Sequence, residues 1–211
     1  MHKIILFISL IAVSISLKAQ YSGYSLITNP VSFKEKFTIA SKNNQSIKSD
    51  FIQEKNLSML SEKIVSKGKF WFKKDNMVRL EYLQPYQYLM IINKNNVFIK
   101  DGNKENKISS RSNKIFKQVN KITVDCVQGT VLSNTDFKTR IFESKNSYLV
   151  ELTPVANGIK DLFKTINVIV DKKELSVSSI EMHELSGDNT LLHFINKELN
   201  STIPDAIFSI K

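Results

Sequence analysis

Several residue types that build reactive sites are scarce in this sequence. It contains one cysteine, Cys126, three histidines and six glycines among 211 residues. A single cysteine excludes an intrachain disulfide, and its apolar neighbours favour a buried side chain over a reactive thiol. Beyond the first 19 residues only His183 and His193 remain, and both fall in predicted strands. We find no G-x-S-x-G elbow, no His/Cys metal spacing and no glycine-rich phosphate loop, so we expect neither an enzyme nor a cofactor.

The N-terminus has the features of an export signal. It reads MHKIILFISLIAVSISLKAQ, with Lys3 before an apolar run from Ile4 to Leu17. This run of about 14 residues is shorter than the ~20 that cross a bilayer as a helix. The small residue Ala19 follows it, which favours cleavage. We therefore predict a signal peptide over 1–19 and a periplasmic mature chain; the alternative is a permanent N-terminal membrane anchor.

The net charge is strongly positive, with 30 basic and 20 acidic residues, or +10 at pH 7. Such a charge favours anionic neighbours such as membrane surfaces. The basic residues are scattered, and an exported protein rarely meets nucleic acid, so we do not expect a nucleic-acid partner. A solvated basic surface without a dedicated partner is the simpler alternative.

The hydrophobic pattern predicts one mainly β domain of α+β class over residues 20–211. Pro30 and the apolar spacing after it predict one amphipathic helix, with Val31, Phe33, Phe37 and Ala40 on one face. Short β-branched and aromatic runs closed by turn residues predict an antiparallel meander on each side of a polar insertion. Inside the insertion, helical spacing extends from Phe116 through Val119, Thr123 and Val127 to Val131. A helical turn is predicted at 156–163.

The most unusual stretch is GKFWFKKDNMVRLEYLQPYQYLMII, Gly68 to Ile92. Side chains alternate between the two faces of a strand, so each of three predicted strands presents apolar residues on one face. Trp71 should point to the opposite side. If the helices cover the apolar face incompletely, a cavity remains between them and the sheet; the alternative is a solid core. The residues that share this face are Phe70, Phe72, Val78, Leu80, Tyr82, Tyr88, Met90 and Ile92.

Five blocks along the chain, taken in order, resemble the LolA family, the periplasmic carriers of outer-membrane lipoproteins. The stretch from Gly68 to Pro85 is the most specific of them, because it combines Gly-x-Phe-Trp-Phe-Lys with a strand that ends in Gln-Pro. The resemblance covers nearly the whole predicted mature chain. The blocks are SDFIQEK (49–55), GKFWFKKDNMVRLEYLQPY (68–86), VFIKDG (97–102), LVELTP (149–154) and INVIVD (166–171).

This resemblance implies a fold and a ligand. The fold would be an unclosed, curved antiparallel β-barrel with helices capping its concave apolar face. The ligand would be the acyl chains of lipoproteins, received from an inner-membrane ABC-type releasing complex and passed to an outer-membrane receptor or to the membrane itself. The carrier would act as a monomer. The residues expected to contact the acyl chains are Phe70, Phe72, Val78, Leu80, Tyr82, Met90, Ile92 and, in the helical cover, Val127.

One departure from the family concerns the contact that holds the cover closed. The family often has Arg-Pro after the Trp strand, and the arginine bonds to the helices. Here Lys74-Asp75 stands at this place, and a lysine lacks the planar fork of donors that an arginine has. Lys74 is thus the candidate for a weaker or different latch. Two other functions stay open: a specialised carrier of another acylated lipid or glycolipid, and a lipid-sensing regulatory domain of the envelope.

Overall fold

The computed structural model describes residues 21–94, 96–102, 104–107 and 114–209. The predicted signal peptide lies outside these residues. Within them the chain forms one antiparallel sheet of twelve strands and two α-helices. The helices are α1 (Val31–Asn43) and α2 (Lys114–Val127), and the strands are β1 (Ser25–Leu26), β2 (Ser46–Leu57), β3 (Glu62–Lys73), β4 (Met77–Gln84), β5 (Tyr88–Asn93), β6 (Asn96–Asp101), β7 (Lys104–Lys107), β8 (Phe137–Glu143), β9 (Ser147–Pro154), β10 (Phe163–Asp171), β11 (Val177–Glu184) and β12 (Asn189–Leu199).

The strand order explains why the connection that contains α2 crosses the sheet. It runs β1-β8-β9-β10-β11-β12-β2-β3-β4-β5-β6-β7, so two meanders join where β12 pairs with β2. Strands β1 and β7 are the edges of this open, curved sheet. The connection that contains α2 leaves one edge, β7, and enters β8, the second strand from the other edge. The connection that contains α2 therefore runs from one end of the sheet to the other, and α2 contacts β11 in the middle of the sheet.

The sheet buries apolar residues on both faces. The main cluster occupies the concave face and includes buried apolar residues of both helices. A smaller cluster on the opposite face joins Met77, Ile91 and Phe98 to Ile203 and Phe208 of the C-terminal segment. Because side chains alternate along a strand, β4, β5 and β6 contribute to both clusters, and the C-terminal segment makes the core two-sided.

Trp71 lies on this outer face, as predicted. It packs at the edge of the smaller cluster, and the Arg79 guanidinium lies 5.7 Å from its ring centroid. Arg79 also donates to Glu81 Oε2 and to the carbonyl of Ile207. The C-terminal segment is thus fixed to the back of β3–β6, a contact that the sequence pattern did not predict.

The insertion differs from its prediction. The α-helix ends at Val127, and Val131 lies in a separate 3₁₀ helix, Thr130–Ser133. Gly129 between them has φ +73°, a left-handed conformation that favours glycine and ends a helix. The polar start of the insertion supplies the edge strand β7. The sequence prediction followed helical periodicity alone, so it included neither the break at Gly129 nor the strand β7.

One smaller prediction also changed. Val31 was expected on the buried face of α1 but is 55% exposed, whereas Phe33 and Phe37 are buried as predicted. The helical turn predicted at 156–163 is present: residues 157–162 form turns, and Lys160 and Phe163 each donate a backbone hydrogen bond to the residue four positions earlier. Across the described ranges, no helix combines the length and apolar character needed to cross a membrane.

Candidate functional site

The predicted lipid-contacting residues of the sheet lie together on its concave face. The register places Phe70 opposite Leu80, and Leu80 opposite Met90. A second row, one pleat along, joins Phe72, Val78 and Ile92. Six of the seven sheet residues are buried, and Ile92 packs against them partly exposed. We call this surface the inner wall: Phe70, Phe72, Val78, Leu80, Tyr82, Met90 and Ile92.

Strand β2 completes the inner wall by close packing against a glycine. Gly68 lies between Phe51 on one neighbouring strand and Tyr82 on the other. A Cβ at Gly68 would collide with the Phe51 ring and with the carbonyl oxygen of Glu81. The Phe51 ring occupies the space that a side chain at Gly68 would fill. It meets the Tyr82 ring edge-on, with ring centroids 4.9 Å apart. The glycine thus lets the aromatic rings interlock.

The polar atom of the inner wall has its own partner. The buried Tyr82 hydroxyl donates to Gln53 Oε1 at 2.8 Å. Gln53 and Phe51 are two residues apart on β2, so both point to the concave face. Burial raises the pKa of Tyr82, and the neighbouring Tyr86 and Tyr88 add to the effect, so the phenol stays neutral. A paired, neutral hydroxyl adds little cost to an apolar wall.

A cleft opens where β4 turns into β5. Its volume is about 230 Å³, and Tyr82 and Tyr88 form its aromatic part. Burial raises the pKa of the Tyr88 phenol, and the nearby charge of Asp101 raises it further. The remaining lining residues are Glu81, Leu83, Gln87, Leu89, Lys100 and Gly102.

From Val119 to Val127, most side chains of helix α2 are buried. Between Val119 and Val127 the more accessible residues are Lys121 and Asp125, which form an ion pair on the outer side. Helix α2 is amphipathic, so its apolar side faces the core while Lys121 and Asp125 face outward. Val127, the predicted contact residue in the cover, is part of the main cluster. The other members of the cluster from α2 are Val119, Ile122, Val124 and Cys126.

Helix α1 is attached differently. It buries Phe33 and Phe37, one turn apart and stacked at 5.7 Å, while most of its other residues are exposed or half-buried. Phe33 also contacts the ring of Tyr148 on β9, with centroids 4.4 Å apart. Beyond α2, Gly129 lies against Ser41 and Phe37 of α1, so the two covering segments touch.

Two side chains of α2 have buried polar atoms without a hydrogen-bond partner among the residues described: Gln118, through its Oε1 alone, and Asn120, through both atoms of its amide. Asn120 is 2% exposed, and neither its Oδ1 nor its Nδ2 has a hydrogen-bond partner in the described part of the chain. The amide lies beside Tyr88 and lowers the pKa of that phenol, but the geometry falls short of a hydrogen bond. An unpaired buried amide costs about 1–3 kcal/mol.

The predicted latch, Lys74, lies in the β3–β4 turn with its side chain exposed. Its backbone N–H donates to the carbonyl of Gln45 at 2.8 Å. Its side chain makes no hydrogen bond or ion pair with any residue that the structure describes. A latch role for Lys74 stays a prediction.

The sequence pattern did not single out three residues of the site. Phe51 and Gln53 stood in a recognised block, and their spacing of two was the signal that both face the inner wall. Asn120 stood among the apolar residues of a predicted helix, and a polar residue on that face was its signal.

Cys126 is fully buried, as predicted, and burial raises the pKa of its thiol. No cluster of three metal-ligating side chains occurs among the residues described.

Comparison with known proteins places this geometry in a family. The model of the outer membrane lipoprotein carrier protein LolA matches residues 42–211. This range includes β2–β12, α2 and the inner wall. No curated protein matches the chain.

Solved structures share the fold at low identity. The MucA/MucB complex of Pseudomonas aeruginosa matches with a TM-score of 0.51 and 11% identity, over 85% of this chain and 60% of that one. A LolA superfamily protein of Nitrosomonas europaea matches with 0.45 and 9%, over 84% and 97%. The lipoprotein LppX of Mycobacterium tuberculosis matches with 0.42 and 10%, over 82% and 96%. The family match over residues 42–211, on an open curved sheet with its apolar face covered by helices, shows that the chain belongs to the LolA family.

Proposed function

We propose that this protein is a periplasmic carrier that holds the acyl chains of lipoproteins between the inner wall and α2, and moves them from the inner to the outer membrane. The observation that carries this proposal is the two-row apolar wall, which shares one buried cluster with the apolar residues of α2. Membership of a family of lipid and lipoprotein carriers supports it. Its first 19 residues would direct export and then be removed.

Binding would require α2 to move. Apart from Ile92, the inner wall residues are at most 6% exposed, so an acyl chain reaches them only when the cover opens. Each methylene buried contributes about 0.8 kcal/mol, and a chain of ordinary length therefore contributes on the order of 10 kcal/mol. Opening the cover consumes part of this free energy and keeps the affinity moderate. Moderate affinity suits a shuttle, which must also release its ligand.

The proposed partners follow from this route. An inner-membrane ABC-type releasing complex would supply acylated lipoproteins, and an outer-membrane receptor or the membrane itself would take them. The positive net charge favours contact with anionic membrane surfaces. The carrier itself would act as a monomer, and no catalytic step is required of it.

The test is depletion of the protein followed by separation of the two membranes. A general lipoprotein carrier predicts that many different lipoproteins accumulate in the inner membrane. In parallel, the purified protein should bind a synthetic triacylated cysteine lipopeptide, and the non-acylated peptide is the control. Unchanged sorting of bulk lipoproteins, with one other lipid displaced, would instead support a specialised lipid carrier. Unchanged sorting with an altered envelope stress response would support a lipid-sensing regulatory domain.

A further inference from the structure

We propose that Asn120 of α2, together with Tyr88 of β5, forms a polar subsite that binds the ester carbonyl at the head of an acyl chain. This inference rests on the proposed carrier function and adds to it the chemical group that the carrier recognises. The inner wall would hold the methylenes, and Asn120 would mark where the chain joins its polar head.

Asn120 carries an energetic cost in the ligand-free protein. Buried polar side chains in proteins almost always have hydrogen-bond partners, and an exception calls for an explanation. Asn120 is almost fully buried, and both atoms of its amide lack a partner among the residues described. A leucine of similar size would fill the same place without that cost. A ligand that supplies the missing partner accounts for an asparagine here.

The buried hydroxyl of Thr123, on the same helix, has a hydrogen-bond partner, unlike the amide of Asn120. Thr123 lies one turn beyond Asn120 and is also buried. Its Oγ1 donates to the carbonyl of Val119 at 2.8 Å, so its hydrogen-bonding capacity is used within the helix. The helix backbone thus satisfies Thr123, whereas Gln118 leaves one buried atom unpaired and Asn120 leaves its whole amide unpaired. Asn120 is the more deeply buried of these two side chains and is left for another partner.

The position of Asn120 connects it to the cleft. Its amide lies beside Tyr88, and Tyr88 lines the cleft at the β4–β5 turn. The Tyr88 and Tyr82 rings meet edge-on at 5.9 Å, so the cleft continues into the inner wall through adjoining aromatic side chains. A chain lying on the wall with its head toward the cleft would bring its first carbonyl next to Asn120.

The chemistry favours a neutral acceptor over a charged group. Asn120 Nδ2 can donate to a carbonyl oxygen, and an apolar environment strengthens such a bond. The charged residues that line the cleft, Glu81 and Lys100, are of opposite sign, and the carboxylate of Asp101 acts on Tyr88 as a negative charge. An anionic group at Asn120 would be repelled by Asp101, whereas an ester carbonyl would not.

The experiment compares two lipopeptides that differ only at the predicted contact. One is a triacylated cysteine lipopeptide with two ester-linked chains; the other has both esters replaced by ethers and keeps the amide-linked chain. Dissociation constants are measured by displacement of a fluorescent fatty-acid analogue. The wild-type protein should bind the ester form about tenfold more tightly, the effect of one hydrogen bond to a buried group. Asn120→Leu should bind both forms with equal affinity.

Thr123→Val is the matched control, because it removes a buried hydroxyl that already has a partner; it should keep the tenfold preference. Equal binding of the two forms by the wild-type protein would overturn the inference and leave the carrier function standing, and this comparison does not depend on any variant folding. A preference retained in Asn120→Leu would also overturn it. Failure of both lipopeptides to bind would overturn the carrier function and the inference with it.

A second readout separates binding from a structural role. If Asn120 serves the ligand, Asn120→Leu removes an unpaired buried amide and should raise the melting temperature of the ligand-free protein. If Asn120 stabilises the fold through contacts of its own, the same substitution should lower the melting temperature, and this result would count against the subsite.

Discussion

The inner wall and helix α2 face each other across one apolar cluster, yet they are built in opposite ways. On the wall, Phe51 fills the space above Gly68, and the Tyr82 hydroxyl is paired with Gln53. On α2, Asn120 is equally buried but unpaired. The wall has the complete packing and pairing of a permanent core. Helix α2 carries a cost that is relieved either by a ligand or by leaving its place.

This difference assigns the two regions different parts in binding. A surface that must present the same shape to every ligand benefits from interlocked rings. A cover that must open benefits from a docked state only slightly more stable than the open one, because the ligand then needs less free energy to shift the population. Substitutions in the wall should therefore act on folding stability, and substitutions in α2 on affinity.

The largest expected effect is on the wall. Gly68→Ala places a methyl group against the Phe51 ring and the carbonyl oxygen of Glu81, and this backbone oxygen cannot move without opening the sheet. We expect a loss of about 3 kcal/mol in the free energy of unfolding, as for other overpacked core positions. Urea denaturation measures it. The control is Gly102→Asn, at a turn with φ +56° and open space, where asparagine tolerates the backbone. An unchanged midpoint for Gly68→Ala would mean that the wall is not tightly packed.

The next effect concerns the paired hydroxyl of the wall. Tyr82→Phe removes the donor and leaves Gln53 Oε1 buried without its partner, so we expect a loss of about 2 kcal/mol. Tyr86→Phe is the control, because Tyr86 is 44% exposed. Equal stabilities for the two variants in urea titrations would show that the Tyr82–Gln53 bond contributes nothing to the wall, and the contrast with Asn120 would disappear.

A substitution in α2 should reverse this pattern. Ile122 is buried in the main cluster, and Ile122→Asp places a carboxylate there, which disfavours the docked position of α2. With the cover more often open, we expect the triacylated lipopeptide to bind about tenfold more tightly. Displacement titrations measure the change. Phe37→Asp in α1 is the comparison: it should destabilise the fold without a gain in affinity. Weaker binding by Ile122→Asp would indicate that α2 is a fixed part of the site.

The sequence predicted the wall well because its signals are local. Period-two alternation in β3, β4 and β5 placed Phe70, Leu80 and Met90 on one face, and the register later brought them into one row. The fold class followed from the resemblance of several blocks, and the open sheet confirms it. Residues with a strong preference for burial are assigned to a face by pattern alone.

Features that depend on distant parts of the chain were not predictable in this way. The C-terminal residues Ile203 and Phe208 cover the back of β4–β6. Each of them lies more than 100 positions along the chain from the strand residues that it packs against. Similarly, nothing near Asn120 indicates that its amide will have no partner, because this depends on every element packed around it. Local periodicity therefore predicts which residues face the core, but not which buried polar side chains will lack a hydrogen-bond partner.

The smallest expected effect lies on the outer face of the other half of the sheet, and it should touch neither the wall nor α2. Burial alone would raise the pKa of Glu151, but hydrogen bonds from Arg140 and Tyr21 outweigh it and lower the pKa below its ordinary value of 4.5. A lowered pKa in the folded state stabilises the protein above pH 4.5, and this stabilisation is lost as the pH falls through the folded-state pKa. Glu151→Gln should therefore lower stability by about 1 kcal/mol at pH 7. The difference from wild type should shrink as the pH falls below 4, while lipopeptide affinity at pH 7 stays unchanged. Thermal melts from pH 3 to pH 7 test this, and a pH-independent difference would mean that the carboxylate of Glu151 is not what stabilises this face.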